Sequence, residues 1–323
     1  MSRDGLRLGS VLALATAMIS GISVYVAKFG TQAVPDPFVY TTARNLTVGF
    51  FLLALLVASG RLTEVERLSG KSWGRLAVIA VIGGSIPFLM FFWGLTMTTA
   101  STGSLIQKSQ FIFVAMFAAP VLGERLGRWQ VTALAALALG VVLQGPISFR
   151  GFGLGEGLIL GATLLWATES ILVRRTLRDV SPWLAATARM TGGALILLAA
   201  LAATGRLGLL FSLNQTQIFW IVVPSVFLFG YVTTWYTALR HAPATLVTSV
   251  LSLGAPVTAL IGALATATPW VVKTSGPLTQ WSLATTPILG TALLVLGSAI
   301  FLISMTRSKP SARLVVVRNR RGR

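Results

Sequence analysis

Apolar runs of about twenty residues recur along this chain from end to end, and twenty residues is the length a helix needs to cross a hydrocarbon core of ~30 Å. Few folds accommodate such a pattern. In lipid every backbone N–H and C=O must find its partner inside the structure, which leaves helix bundles and closed barrels. Barrel strands alternate apolar and polar residues, and these runs do not. Composition agrees: 54% of residues are hydrophobic and 11% charged, too apolar for a soluble globule of this size. The sequence therefore reads as an all-α integral membrane protein.

Ten spans are expected, near residues 8–29, 37–59, 74–97, 100–122, 127–145, 153–174, 183–204, 217–239, 243–266 and 286–305. The first contains Ala13-Leu14-Ala15, which mimics a signal-peptide cleavage site, and is read as a retained span. Short turns with breakers, such as Val34-Pro35-Asp36-Pro37, Gln144-Gly145-Pro146 and Asp179-Val180-Ser181-Pro182, leave no room for a folded soluble domain.

Orientation follows from the cations, because cytoplasmic loops retain the positive excess. One face carries Arg3, Arg7, Arg61, Arg67, Lys71, Arg75, Arg125, Arg128, Arg174, Arg175, Arg178, Arg240 and the basic tail. The other has only Lys28, Arg150, Arg206 and Lys273. Both termini are thus expected in the cytoplasm of a multi-pass protein of a cytoplasmic membrane, prokaryotic in type. The net charge of +18 then needs no nucleic acid, because the tail 307–323 can lie against anionic lipid headgroups. Trp73, Trp129, Trp183, Trp220 and Trp281 fall near span starts, where an indole prefers the interface.

Chemistry that the composition excludes is also informative. There is no cysteine, so disulfides and thiolate sites are ruled out. The single histidine, His241, sits beside Arg240 at a helix end and reads as a solvated residue. No metal site, cofactor or catalytic residue is expected.

Shifting the chain by about 145 residues lays its second half on its first, so that Arg44 meets Arg189, each shortly after a Pro-containing turn. Five spans is an odd number, so the second copy enters from the opposite side. The expected domains are an inverted pair of five-helix repeats, 1–146 and 147–306, followed by the tail. Inverted repeats supply two pseudo-equivalent conformations, the geometry of alternating access. Small residues such as Gly153, Gly157 and Gly161, or Ala136 with Gly140, read as helix packing.

These residues resemble the EamA-type branch of the drug/metabolite transporter superfamily. The resemblance rests on Tyr25-Val26-Ala27-Lys28, on Pro37 with Arg44, and on Leu122-Gly123-Glu124-Arg125-Leu126 in the first copy. In the second it rests on Leu165-Trp166-Ala167, Arg189 and Ala255-Pro256-Val257. Two departures stand out: the second copy lacks the Gly-Glu ending, its counterpart falling near Thr268-Pro269-Trp270, and the proline expected in span four falls near Phe111. The resemblance implies a central cavity lined by helices one, three, four, six, eight and nine.

An ionisable side chain at membrane depth costs roughly 2.5 to 3.5 kcal/mol on insertion scales, so each needs a reason. Lys108, flanked by Gln107 and Gln110 near the middle of span four, is the foremost substrate-binding candidate. It can anchor a carboxylate or phosphate, release a proton, or pair structurally with a carboxylate. Glu169 can pair with Lys108, bind a cation or relay a coupling proton; an ion pair with Arg174 or Arg175 is its favoured structural alternative. Arg44 and Arg189 read as structural, and Glu124 as a compensated helix end. Tyr25, Trp93, Trp166, Tyr231 and Trp235 are candidate walls for a planar or amphipathic solute. Pro87, Pro224 and Pro256 are candidate gating points that free a carbonyl.

No Gly-rich phosphate loop appears, so the expected function is a secondary transporter of a small organic solute, such as a metabolite, amino acid or drug-like compound, driven by proton coupling, by exchange or simply downhill. It would act as a monomer or homodimer. A membrane-embedded lipid-modifying enzyme and a channel or scaffold are the alternatives. The first needs a nucleophile, metal cluster or carboxylate pair that eight scattered acidic residues do not supply.

Overall fold

The computed structural model describes residues 3–124, 126–144, 152–266 and 285–307. Within them eight helices are long and apolar enough to cross a membrane, and two shorter apolar helices accompany them. The ten are α1 (Arg3–Ala33), α2 (Pro37–Ala58), α3 (Gly70–Met97), α4 (Ala100–Lys108 and Gln110–Leu122) and α5 (Arg128–Gln144). There follow α6 (Leu154–Thr176), α7 (Pro182–Ala203), α8 (Gln215–His241), α9 (Ala244–Leu251 and Gly254–Thr266) and α10 (Thr285–Arg307). Strands are absent among the described residues.

Helix starts are written in local chemistry. Asp36 accepts the N–H of Phe38 at 2.8 Å and of Val39 at 3.2 Å, with Pro37 in the first turn of α2. Ser181 caps α7 in the same way, followed by Pro182. A side chain short enough to reach the orphan amides, then a proline that has no amide to orphan, is a strong helix start. Ser69 caps α3, and Asn214 with Gln217 forms a reciprocal capping box on α8.

Glu124 stands at the end of α4 as the sequence reading has it, its N–H closing the helix on the Ala118 carbonyl at 3.3 Å. Its carboxylate does more than that reading foresaw: it reaches across to the start of α9, accepting Ala244 N–H at 2.9 Å, Thr245 N–H at 3.2 Å and the Thr245 hydroxyl at 2.6 Å. Pro243 precedes α9 and has no capping side chain, so the cap comes from a neighbour. Helix C-termini are served similarly: Lys28 donates to the carbonyls of Leu95 and Thr98 on α3, and Arg174 to those of Leu239 and Arg240 on α8. Lys28 is therefore part of the bundle rather than of an outer loop.

The outer surface is apolar: Phe50, Val11, Met116, Val226 and Leu260 are all more than 60% exposed. Residues of that size turned outward on every side belong in lipid, where they cost nothing. Polar residues lie inside, among them Asn45, Ser104, Thr163, Ser249 and Thr258. The protein is thus an integral, multi-pass membrane protein.

Helix contacts follow a recurring plan. The longest packings are α1 on α8, α3 on α6, α2 on α7 and α5 on α10. Glycines allow close approaches: a Cβ on Gly84 of α3 would lie 2.0 Å from the Arg189 carbonyl oxygen of α7, and one on Gly94 of α3 2.5 Å from the Gly155 carbonyl oxygen of α6. Helices α4 and α9 cross at their breaks, the first half of each lying against the second half of the other. Position 109 breaks α4 without a proline, whereas α9 breaks where Pro256 cannot donate back to Ser252, whose carbonyl takes the Ala255 N–H at 3.1 Å instead.

Candidate functional site

A cavity lies at the centre of the bundle, among Ser20, Ser23, Val24 and Ala27 of α1, Arg44 of α2, Phe88, Phe91 and Phe92 of α3, Gln107 of α4, Trp166 of α6, Arg189 of α7, and Leu228 and Tyr231 of α8. Its room for the centres of water molecules is about 30 Å³. One water needs roughly 10–15 Å³ by that measure, so about two waters fit. The cavity is contracted, too small for an organic solute.

The lining differs from the implied one in a physically meaningful way. Helices α2 and α7 contribute their arginines, while α9 contributes no lining side chain. Arg44 and Arg189 are each 2% exposed. Their guanidinium carbons sit 4.8 Å from the Phe92 ring centre and 5.0 Å from that of Phe88. Those two rings, four residues apart on α3, are stacked with centroids 6.0 Å apart, so one helical turn of α3 seats both cations. Such contacts strengthen where water is excluded.

The two arginines then diverge. Arg189 Nη2 donates to Glu169 Oε2 at 3.1 Å. Its Nε lies 2.7 Å from Oε1, a contact held by charge, because that N–H is not aimed along the line. The Tyr236 hydroxyl donates to Oε1 at 2.7 Å. Gly83 makes room, since a Cβ there would fall 2.3 Å from the Glu169 carboxyl carbon. Glu169 is therefore not paired with Arg174, Arg175 or Lys108. Arg174 turns to α8 carbonyls and Arg175 to the Val121 carbonyl.

Arg44 meets no carboxylate among the described residues. Its Nη2 donates to the Ser23 hydroxyl at 3.1 Å and to the Pro224 carbonyl at 3.2 Å, and its Nε is buried without a partner. Pro224 thus holds a cation through its own carbonyl. Just before Pro87 lies the π-helical turn Ala80–Ser85, and within it the Gly83 carbonyl accepts the Trp166 indole N–H at 3.1 Å.

Lys108 is 1% exposed but stands behind the cavity wall. Its Nζ donates to the Ser20 hydroxyl and, at 3.0 Å, to Gln107 Oε1. Gly254 admits the lysine stem, for a Cβ there would lie 2.6 Å from Lys108 Cε. Sequence depth alone cannot distinguish a lining residue from one a layer back.

Of the other sequence candidates, Trp166 and Tyr231 line the cavity and Gln107 does too. Gln110 donates to Ser170 at 2.9 Å and ties α4 to α6. Trp235 backs the wall, stacked on Tyr231 at 5.9 Å. Tyr25 is buried with its hydroxyl unpartnered, outside the lining. Trp93 faces outward, 41% exposed. The residues that sequence reasoning missed are Ser20, Ser23, Tyr236 and the Phe88-Phe91-Phe92 face. The helical spacing of those phenylalanines and the i, i+3 spacing of the serines were the available signals. The Thr268-Pro269-Trp270 segment, Lys273, Trp281 and the tail lie outside the described residues.

A bundle of membrane-length helices with charged side chains buried around a central cavity has the anatomy of a membrane transporter. The profile of the EamA-like transporter family matches twice, over residues 7–144 and 153–296, and the chain belongs to that family, consistent with the drug/metabolite transporter superfamily. It is 25% identical over 131 residues to an uncharacterized transporter of a Sinorhizobium species, covering 41% of this chain and 92% of that protein. It is 28% identical over 216 residues to an uncharacterized transporter of Synechocystis, covering 61% of this chain and 64% of that one. A WAT1-related chloroplastic protein of Arabidopsis thaliana is 29% identical over 185 residues, 54% of this chain and 43% of that protein. A solved crystal structure superposes with a TM-score of 0.67 at 18% identity, covering 93% of this chain and 99% of that one, a likeness of fold. The family and these names indicate a membrane transporter of small solutes rather than an enzyme.

Proposed function

We propose that the chain is a secondary transporter that moves a small organic solute by alternating access, its ten helices forming two inverted five-helix copies, 1–146 and 147–306, with both termini cytoplasmic. The observation that carries this reading is the recurrence of helix contacts when α1–α5 are exchanged for α6–α10. Under that exchange α1 on α8 becomes α6 on α3, while α2 on α7, α4 on α9 and α5 on α10 map onto themselves. The caps repeat as well: Asp36 and Ser181, like Ser69 and Asn214, stand about 145 residues apart. Two copies about a contracted central cavity can open first to one side and then to the other. Proton coupling or exchange drives the cycle, and Glu169 carries a proton only in a conformation that releases Arg189.

The chain has no cysteine, which makes the test direct. Single variants Val24→Cys and Leu228→Cys place a thiol on the cavity wall. Membrane-impermeant reagents should label each from both faces of sealed vesicles, and conditions that raise labelling from one face should lower it from the other. Labelling from one face alone rules out alternating access. Glu64→Cys should react only from the cytoplasmic side and Phe211→Cys only from the opposite side; the reverse pattern inverts the topology.

A further inference from the structure

Resting on the reading of the central cavity as the solute path, we infer that the solute is an organic anion, a carboxylate carried on an apolar, ring-sized body. The argument begins with charge. Three cations, Arg44, Lys108 and Arg189, are buried at or just behind the cavity wall, and Glu169 is the one buried carboxylate among the described residues. Glu169 is committed to Arg189. A buried cation left without an anion is costly, and a bound anion relieves the cost.

Hydrogen-bond inventory points the same way. Ser23 accepts from Arg44 and Ser20 accepts from Lys108, so each hydroxyl keeps its own hydrogen to give. Gln107 receives Lys108 on Oε1, which leaves its NH2 as the free end. Arg44 keeps an unpartnered Nε–H. Every one of these four groups has a donor to spare. The fit is an acceptor-rich, negatively charged head. Lys108 thus acts one layer back, fixing which ends of Ser20 and Gln107 face inward.

The rest of the wall is apolar or aromatic, Val24, Phe91, Trp166 and Leu228 among it. A charged head alone would leave that surface unused. An aromatic or branched carboxylate uses both, once the cavity widens.

The test is binding to the purified, full-length protein in detergent, read as thermal stabilisation, with benzoate and cinnamate as probes, their uncharged amides as matched controls, and chloride at equal ionic strength. Both carboxylates should raise Tm in a saturable manner, while the amides and chloride do not. Arg44→Gln should abolish the shift, and Ser23→Ala should weaken apparent affinity several-fold. Equal stabilisation by the amides, equal stabilisation by chloride, no response to either carboxylate, or an undiminished shift in Arg44→Gln would each overturn the inference. The wild-type comparison stands even if Arg44→Gln does not fold. Uptake of a neutral or cationic solute without carboxylate binding would sink the anion reading and leave the transport reading intact.

Discussion

Arg189 and Arg44 occupy matching places in the two halves of the chain, each buried and each over a phenylalanine of α3, yet their charges are handled in opposite ways. In the second half Glu169 and Tyr236 close around the guanidinium. In the first half the position about 145 residues before Glu169 is Val24, and Arg44 is left with a hydroxyl and a carbonyl. The lesson concerns division of labour. One cation is neutralised within the protein and holds α6, α7 and α8 together; the other stays available to a partner that comes and goes.

Breaking the neutralised side should have the largest effect. Glu169→Leu strands Arg189 in a dry interior, and losing one member of a buried pair costs about 3–5 kcal/mol. A large fall in Tm in detergent, or loss of folded protein, is expected, with much of the loss restored by the double replacement Glu169→Leu with Arg189→Met. Retention of wild-type Tm by Glu169→Leu would mean the pair holds nothing together. The next test converts the open side into a copy of the closed one: Val24→Glu supplies Arg44 with a resident carboxylate. Binding of benzoate by thermal shift should fall at least tenfold while the fold persists; unaltered binding would show that the charge of Arg44 is not what the solute meets.

The membrane helices and the family were legible because they rest on chain-wide patterns, hydropathy and spacing, that no single contact can disguise. Pairing was not legible. Glu169 is five residues from Arg174 along its helix, which makes that pairing look natural, but five residues is more than a full turn, and Arg189 on a neighbouring helix reaches it directly. Lys108 shows the same limit: depth along a span is visible in sequence, while the direction in which a side chain turns depends on the crossing of α4 and α9 and on the space at Gly254. The reach of the Glu124 carboxylate went unread for the same reason, since its partners stand at the start of α9.

Finer cuts separate the parts of the neutralised cluster. Tyr236→Phe removes one hydroxyl hydrogen bond to a carboxylate and should cost about 1.5–3 kcal/mol, seen as a Tm drop smaller than that of Glu169→Leu. Gly83→Ala sets a methyl 2.3 Å from the Glu169 carboxyl carbon, and overpacking of this kind costs about 1–3 kcal/mol. Gly254→Ala is the comparison on the Lys108 side: its nearest atom is the flexible Lys108 stem at 2.6 Å, although the Ala17 carbonyl at 3.1 Å limits the room. Its Tm should fall less than that of Gly83→Ala, and an equal or greater fall would mean that the Lys108 side is as rigidly packed as the Glu169 side.

The smallest effect is expected at Trp93, which the sequence places at the depth of the cavity and the structure turns away from it, 41% exposed. It lies on the same turn of α3 as Phe91 and Phe92, which face inward at 2% and 1% exposure. Trp93→Leu exchanges one apolar group for another on a surface that lipid covers, so no polar atom is stranded and no cavity opens. A change within about 0.5 kcal/mol is expected, as for surface substitutions generally, with carboxylate binding unaltered. Phe91→Leu, its neighbour two positions earlier, removes part of the cavity wall and should weaken binding while Trp93→Leu does not. If the two variants lose binding equally, the inward and outward faces of α3 are not as distinct as this packing requires, and the division between a solute-facing and a lipid-facing surface fails at the helix that seats both arginines.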